Sequence, residues 1–346
     1  MKAAIFSGPR RVRVVDVETP KIASNEVLIK TQVAGICGTD LHFYSGKNGA
    51  LENLIERMKT TIAPYKIIMG HEFSGFVTDK GNDANDIELN ERVTAWPIIP
   101  CHECKYCKMG FTHLCENRRL WPGAFSEFIK VPLENVIKIP AKLSYEEAAM
   151  LEPIACAIHA VKLAEIEKHH SIFILGAGTM GLLVLQVARS FGVEKILVTD
   201  VVDFRLEMAK KLGADIAMNA TKVDSYEKKT LMKDLDVAFE CSGSSASTIN
   251  QAIDLIDKRG TIMVFGSFTS PPQINLLKFR QKELAIIGSE ASQKIDFLDG
   301  INLLTDGKVK VQPLITHKFP LESIRNAFEV ALGKEKTKSI KVQIIL

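Results

Sequence analysis

No apolar run in this chain approaches the roughly 20 residues needed to cross a bilayer, because Gly, Asp or Lys interrupts each hydrophobic stretch. A membrane-spanning protein is therefore not expected. Aromatic residues make up only 7% of the 346 positions, and the formal charge is just +3, with no arginine-rich tract or basic stripe. Nothing in that balance provides a nucleic-acid or membrane surface. The opening residues, MKAAIFSGPRRVRVVD, lack the apolar stretch of about 7–15 residues and the small-residue cleavage site of a secretory signal. A cytoplasmic protein is the expectation. There is also no internal repeat and no low-complexity linker. What remains is an ordinary globular composition, 46% hydrophobic and 25% charged, at a length that favours two domains. The seven cysteines are an odd number in a reducing compartment, which favours metal ligation or burial over a disulfide framework.

Texture divides the chain. Up to about residue 140, apolar and polar positions alternate in short runs such as VRVVDV, EVLIKTQV, FSGFVTD, RVTAWPI and SEFIKVPL, which read as strands. Ser144 and Glu147 then form a capping-box pattern ahead of an Ala-rich helical segment, and Pro153 predicts a break or bend at Glu152. From His170 to about Gly288, strand-like runs (SIFILG, EKILVTD, LDVAFEC, GTIMVFG, ELAIIGS) alternate with helical stretches, which predicts a parallel α/β sheet. A helix and short strand-like pieces, LITHKFP and IKVQIIL, close the chain. The expected plan is a β-rich domain over 1–155 and 290–346 with an α/β domain over 156–289.

Three constellations carry chemistry. Cys101, Cys104, Cys107 and Cys115 crowd one loop, and four thiolates suit a tetrahedral Zn²⁺ whose full shell leaves no place for substrate. This predicts a structural metal. His102 and His113 are spare ligands in the same loop, which four sulfurs do not require. A dispersed set, Cys37 in GICGTDLH, His71 and Glu72 in GHEFSG, and Glu152, combines sulfur, imidazole and carboxylate, as suits a zinc with an exchangeable position. Taken singly, each of these has an ordinary reading as a buried thiol or a satisfied polar group. The third is GAGTMG, where Gly176, Gly178 and Gly181 follow the apolar run IFIL and open a helix, so that backbone amides can approach a pyrophosphate. Asp200 ends the next strand, where a carboxylate accepts from an adenosine ribose and repels a 2′-phosphate, favouring NAD over NADP. Arg205 follows five residues later and could contact the adenosine or a phosphate.

Taken in order, GICGTDLH, GHEFSG, the four-cysteine loop, LEPIACAIHA, GAGTMG with VTD, and ITHKFPLESIRNAF resemble the zinc-containing medium-chain alcohol dehydrogenases, in the branch of sorbitol, threonine and other polyol dehydrogenases. The resemblance covers essentially the whole chain. It implies a β-rich GroES-like catalytic domain plus a doubly wound Rossmann coenzyme domain, NAD as coenzyme, and two zinc ions per chain, one catalytic and one structural. By similarity, Cys37, His71 and Glu152 are catalytic-zinc ligands, and Glu72 is a carboxylate that exchanges with substrate. Thr39 and His42 resemble a proton-relay pair. Met180, Asp200 and Arg205 match positions that touch NAD, and Phe265, Gly266 and Ser289 fall at strand ends near the expected nicotinamide. The implied reaction oxidises a secondary hydroxyl of a small-molecule polyol, cyclitol, sugar derivative or hydroxy amino acid to a ketone. The family's habit implies a homo-oligomer, a dimer or a tetramer.

Two segments depart from the family. The stretch Ser45 to Gly70 is longer than in many relatives and is a candidate substrate wall or lid, while ENRRLWPG after Cys115 is short. In the latter, Arg118, Arg119 and Trp121 could meet a phosphate, carboxylate or sugar face, with an exposed basic loop as the plainer reading. Cys156 and Cys241 lie in apolar segments and read as small buried residues. Two further functions stay open: an NADP-dependent carbonyl reductase, and a non-catalytic dinucleotide sensor whose zinc only holds the fold.

Overall fold

The computed structural model describes residues 1–46, 67–120, 123–222, 234–243, 246–268 and 271–346. Most of the long Ser45–Gly70 segment, and Trp121, lie outside the described residues. Two units are distinguished, Met1–Ala155 with Gln293–Thr305 and Val311–Leu346, and Cys156–Ser292 with Asp306–Lys310.

The first unit is built on a seven-stranded sheet. Its order runs Val136–Lys138, Arg92–Ala95, Glu72–Lys80, Glu26–Gly35, Lys341–Ile345 and Ile315–Pro320, with Phe128–Pro132 also pairing to Glu26–Gly35. Glu26–Gly35 alternates buried and partly exposed positions, the period-two pattern of a strand with one face on the core. Its end is in register with Glu72 on one side and Gln343 on the other, both opposite Gly35. A smaller sheet joins Arg11–Asp16, Lys2–Gly8 and Ile67–Ile68. Between them lies an aromatic core in which the Phe328 ring meets Tyr44 (4.7 Å), Phe6 (5.2 Å) and Phe125 (5.8 Å). Each such fully buried ring contributes roughly 1.5–3 kcal/mol through removal from water. The short helix Gly38–Ser45 is anchored to this core by Tyr44, whose hydroxyl donates to Glu329 Oε1 at 2.8 Å.

The second unit is a six-stranded parallel sheet. Numbered in chain order, Ser171–Leu175, Lys195–Asp200, Ile216–Asn219, Val237–Glu240, Thr261–Val264 and Ala285–Gly288 stand 3-2-1-4-5-6, the doubly wound arrangement. The order reverses between Ser171–Leu175 and Val237–Glu240. Ligands of such sheets bind outside the carboxyl ends of the strands at that reversal.

At Pro153 the structure corrects the sequence expectation. The capping box forms, with Glu147 N donating to Ser144 Oγ (3.2 Å) and Ser144 N to Glu147 Oε2 (2.9 Å). The interruption, however, precedes Glu152, because the helix Leu151–Leu163 begins one residue earlier and carries both Glu152 and Pro153 in its first turn. A proline there loses no helical hydrogen bond, since first-turn amides have no intrahelical acceptor.

Candidate functional site

The four thiols of the cysteine loop bring their sulfurs within 4.8 Å of one another. The loop is wound so that backbone amides point at sulfur: Cys101 N donates to Cys115 Sγ at 3.2 Å and Cys104 N to Cys101 Sγ at 3.4 Å. Backbone donation from Glu103 and Cys104 lowers the Cys101 thiol to about 6. Burial, followed by hydrogen bonding with Cys104 and Cys115, pushes Cys107 up to about 12. Four thiols so close ionise together only around a cation, so the donor set fits a Zn²⁺. Neither histidine of the loop joins the cluster. His102 Nε2 pairs instead with Glu134 Oε2 at 2.7 Å, and the buried His113 ring stands edge-on to Phe111. Arg118 is drawn into the same loop, donating to the His113 carbonyl at 3.0 Å, which makes it a brace.

A second cluster forms where three elements meet. Cys37 precedes the helix Gly38–Ser45, His71 lies just before the strand Glu72–Lys80, and Glu72 begins that strand. One ligand atom of each lies within 4.8 Å of the others. Burial opposes the charged form of His71, but Cys37, by charge and hydrogen bond, followed by Asp40 and Glu152, holds the imidazole well above its ordinary value. The thiol and carboxylates gathered around His71 favour a cation there, and the sulfur, nitrogen and oxygen donors of the three residues fit a divalent metal. Glu152 does not join this triplet. It is 8% exposed and within electrostatic reach of His71 and Lys341. Thr39 is exposed in the first turn of the helix, and His42 follows it by three residues, on the same helical face.

Two residues of this cluster escape sequence reading. Asp40, 1% exposed, accepts the Cys37 backbone N–H at 2.9 Å. Burial raises its carboxyl, and His71 is the largest opposing influence. Lys341, 3% exposed, is ion-paired with Glu72, and its Nζ donates to the Ile36 carbonyl at 3.1 Å. Burial disfavours its charge, yet Glu72 and Cys37 together hold its pKa above the ordinary lysine value. The GTD run gave a signal for Asp40, an acid three residues after the helix cap. Lys341 gave none, since IKVQI reads as a strand with a solvated polar face.

In the second unit, the turn after Ser171–Leu175 is held by glycine geometry. Gly176 has φ +104°, and a side chain at Gly181 would collide with the Gly176 carbonyl, so the helix Thr179–Ser190 packs close against the turn. Gly178 caps that helix, and among the described residues the only atom near its missing Cβ is a guanidinium nitrogen of Arg205, at 3.9 Å. Asp200 Oδ2 accepts Ala177 N at 2.7 Å, and its Oδ1 accepts Val202 N at 2.9 Å, which fixes the carboxylate beside the turn. Met180 is partly exposed in the first helical turn. Phe265 N and Gly266 N both donate to the Glu240 carbonyl, at 3.0 and 2.8 Å. The Ser289 hydroxyl is buried and, among the described residues, has no hydrogen-bond partner, an orphan group of the kind a ligand satisfies.

Sequence reasoning also missed Glu240. This fully buried carboxylate accepts from Ser242 N (3.1 Å), Ser242 Oγ (2.5 Å), Gly243 N (3.1 Å) and Thr248 Oγ1 (2.9 Å). It thereby fixes the loop that backs onto Gly176. Cys156 is buried as expected, whereas Cys241 keeps part of its residue surface exposed; its thiol is nonetheless enclosed, and that burial and the adjacent Glu240 push it well up, away from thiolate chemistry.

Comparison with known proteins agrees with this geometry. The family described as "Alcohol dehydrogenase GroES-like domain" matches residues 23–141, and that described as "Zinc-binding dehydrogenase" matches 179–306. Sorbitol dehydrogenase of Bacillus subtilis is 33% identical over 99% of this chain and 97% of its own length. L-threonine 3-dehydrogenase of Coxiella burnetii is 33% identical over 93% of each. Among solved structures, an Escherichia coli oxidoreductase/dehydrogenase of unknown specificity superposes with a TM-score of 0.90 at 30% identity, covering 99% of this chain and 98% of that one.

Proposed function

Because the chain belongs to the zinc-containing medium-chain alcohol dehydrogenases, in their polyol and threonine dehydrogenase branch, we propose that it oxidises a secondary hydroxyl to a ketone, reversibly, with NAD. The substrate class is a polyol, cyclitol, sugar derivative or hydroxy amino acid, with polyols preferred. The observation that carries this reading is the convergence of Cys37, His71 and Glu72 within 4.8 Å. Sulfur, nitrogen and oxygen donors gathered from separate elements suit a catalytic metal that keeps a position for substrate.

A bound Zn²⁺ would supply the charge that lowers the pKa of the substrate hydroxyl, and the nicotinamide would accept the hydride. In this reading Cys37 and His71 hold the metal, with Glu152 as the acidic ligand and Glu72 exchangeable. Asp40 fixes the backbone at Cys37 and faces His71, orienting both. Thr39 and His42 move the hydroxyl proton toward water, a task suited to an imidazole because one ring nitrogen can accept a proton while the other donates one. Cys101, Cys104, Cys107 and Cys115 hold the structural zinc.

For the coenzyme, Gly176, Gly178 and Gly181 cradle the pyrophosphate, with Met180 beside it in the first helical turn. Asp200 accepts from the ribose hydroxyls and repels a 2′-phosphate, while Arg205 meets the adenosine or phosphate side. Phe265, Gly266 and Ser289 receive the nicotinamide. A homo-oligomer fits the edge strand Ala285–Gly288, where Ala285, Ile286 and Gly288 are exposed although parallel sheets are ordinarily covered on both faces. A four-thiolate loop fits the reducing cytoplasm. Among the described residues, no helix is long and apolar enough to cross a membrane.

The test follows nicotinamide absorbance while the zinc-loaded protein is offered polyols, cyclitols, sugar phosphates and threonine, with NAD and NADP in parallel. Turnover of one group with NAD preferred is expected. A clear NADP preference overturns the coenzyme assignment, and silence across the panel in protein that binds NAD overturns the catalytic one.

A further inference from the structure

We infer that Lys341 is a positioning residue for the dispersed metal centre: held against Glu72 across a gap left by Gly35, it governs how far that carboxylate is available to a metal. The inference rests on the reading that Cys37 and His71 hold one.

The arrangement is built into the sheet. Glu72 and Lys341 each begin a strand, and the strand Glu26–Gly35 runs between them. Glu72, Gly35 and Gln343 stand in line across the three strands, so these positions share one face, and Lys341 lies two residues from Gln343 on the same face. Any side chain at position 35 would fill the space between them. A Cβ there would collide with the Glu72 carboxylate and reach within 3.0 Å of the Lys341 Cε. Gly35 does not have positive φ, so backbone conformation does not demand glycine here. The absent side chain instead opens the route by which the ammonium meets the carboxylate.

Both partners are withdrawn from water, with side-chain exposures of 3% for Lys341 and 2% for Glu72. A buried ion pair is a poor source of stability, since apolar residues of the same volume often do as well. This pair sits where charge has another use. Glu72 offers an oxygen within 4.8 Å of the ligand atoms of Cys37 and His71. Lys341 also binds the carbonyl of Ile36, the residue before Cys37. The carboxylate therefore stands between two positive claimants, the ammonium on one side and any metal held by Cys37 and His71 on the other. With the lysine in place, a carboxylate that gives way to substrate returns to a partner and is never left as an unpaired buried charge. Without it, Glu72 has only the metal to satisfy it and occupies the position that substrate needs.

Cobalt(II) exchanged for zinc reports this directly, because its visible bands follow the ligand set. The bands that disappear in Cys37→Ser belong to this centre. In Lys341→Met those bands should change, and metal retention against a chelator should tighten about tenfold, within the range by which residues behind a metal's ligands alter affinity. Lys341→Arg should restore both properties toward wild type, and Lys341→Met should have no further effect in a Glu72→Gln background. Lys341→Gln, which keeps a donor for the Ile36 carbonyl, should repeat the change without the charge, and it replaces Lys341→Met should that variant not fold. Wild-type bands and affinity in folded Lys341→Met or Lys341→Gln overturn the inference, as does weaker metal retention, or an effect that persists in Glu72→Gln. If Cys37→Ser removes no bands from the otherwise wild-type protein, the metal-centre reading itself falls, whatever Lys341 does.

Discussion

The four-cysteine loop and the Cys37–His71–Glu72 cluster lie in the same unit, yet the chain assembles them by opposite means. The loop draws all its donors from 101–115 and turns its own backbone amides onto sulfur. The cluster draws its donors from distant stretches, places them at strand and helix ends, and surrounds them with buried charges of both signs, Asp40, Glu152 and Lys341. A local site with a complete thiolate shell can do little but hold the fold. A dispersed site with carboxylates in reserve can change its ligands during a reaction. The difference predicts that injury to the loop is read in stability and injury to the cluster in turnover.

The largest effect is expected from Cys104→Ser. Loss of a thiolate from a closed shell should release the metal of the loop and lower Tm by about 10 °C or more, because binding energy at such a site is folding energy. Zinc analysis and a melting curve check this, and an unchanged Tm with full zinc would contradict a structural role.

Cys37→Ser is the counterpart. The chain should lose the other metal, and kcat/KM should fall by about a thousandfold or more, the several kcal/mol of charge stabilisation a metal provides to a transition state. Tm should move by no more than about 3 °C, since the residue is partly exposed and its backbone stays tied to Asp40. A large fall in Tm with turnover retained would reverse the two assignments.

The same contrast explains what could be read from sequence. Donors packed into one loop announce themselves by spacing, and so do the alternating strands and helices around GAGTMG, because both signals are local. The dispersed cluster was legible only through the order of several short motifs. Its charge balance was not legible at all. Lys341 and Gln343 occupy the polar phase of an alternating strand, a pattern that ordinarily means a solvated face. The structure buries both, since Lys341 meets Glu72 and Gln343 donates to the Glu146 carbonyl at 2.8 Å. Periodicity tells which residues share a face but not whether that face meets water or another charged layer. Glu240 was hidden for a related reason: its four donors come from residues after it in the chain, so only the closed loop shows that the carboxylate is a hub. Pro153 reads as a break in sequence because proline interrupts helix interiors, and the first turn is where that rule relaxes.

The smallest effect separates ligands from neighbours inside the loop itself. His102 sits between two of the cysteines and has the chemistry of a zinc ligand, but its φ of +60° turns the chain so that the ring pairs with Glu134. Both side chains are largely exposed, 58% and 45%, and an exposed pair contributes about 0.5 kcal/mol or less. His102→Gln should therefore keep the full zinc content and turnover and shift Tm by no more than about 2 °C. Loss of zinc from this variant would show that the four sulfurs do not complete the shell. The loop would then resemble the dispersed cluster, a mixed donor set able to exchange a ligand, and the distinction between the two regions would fail.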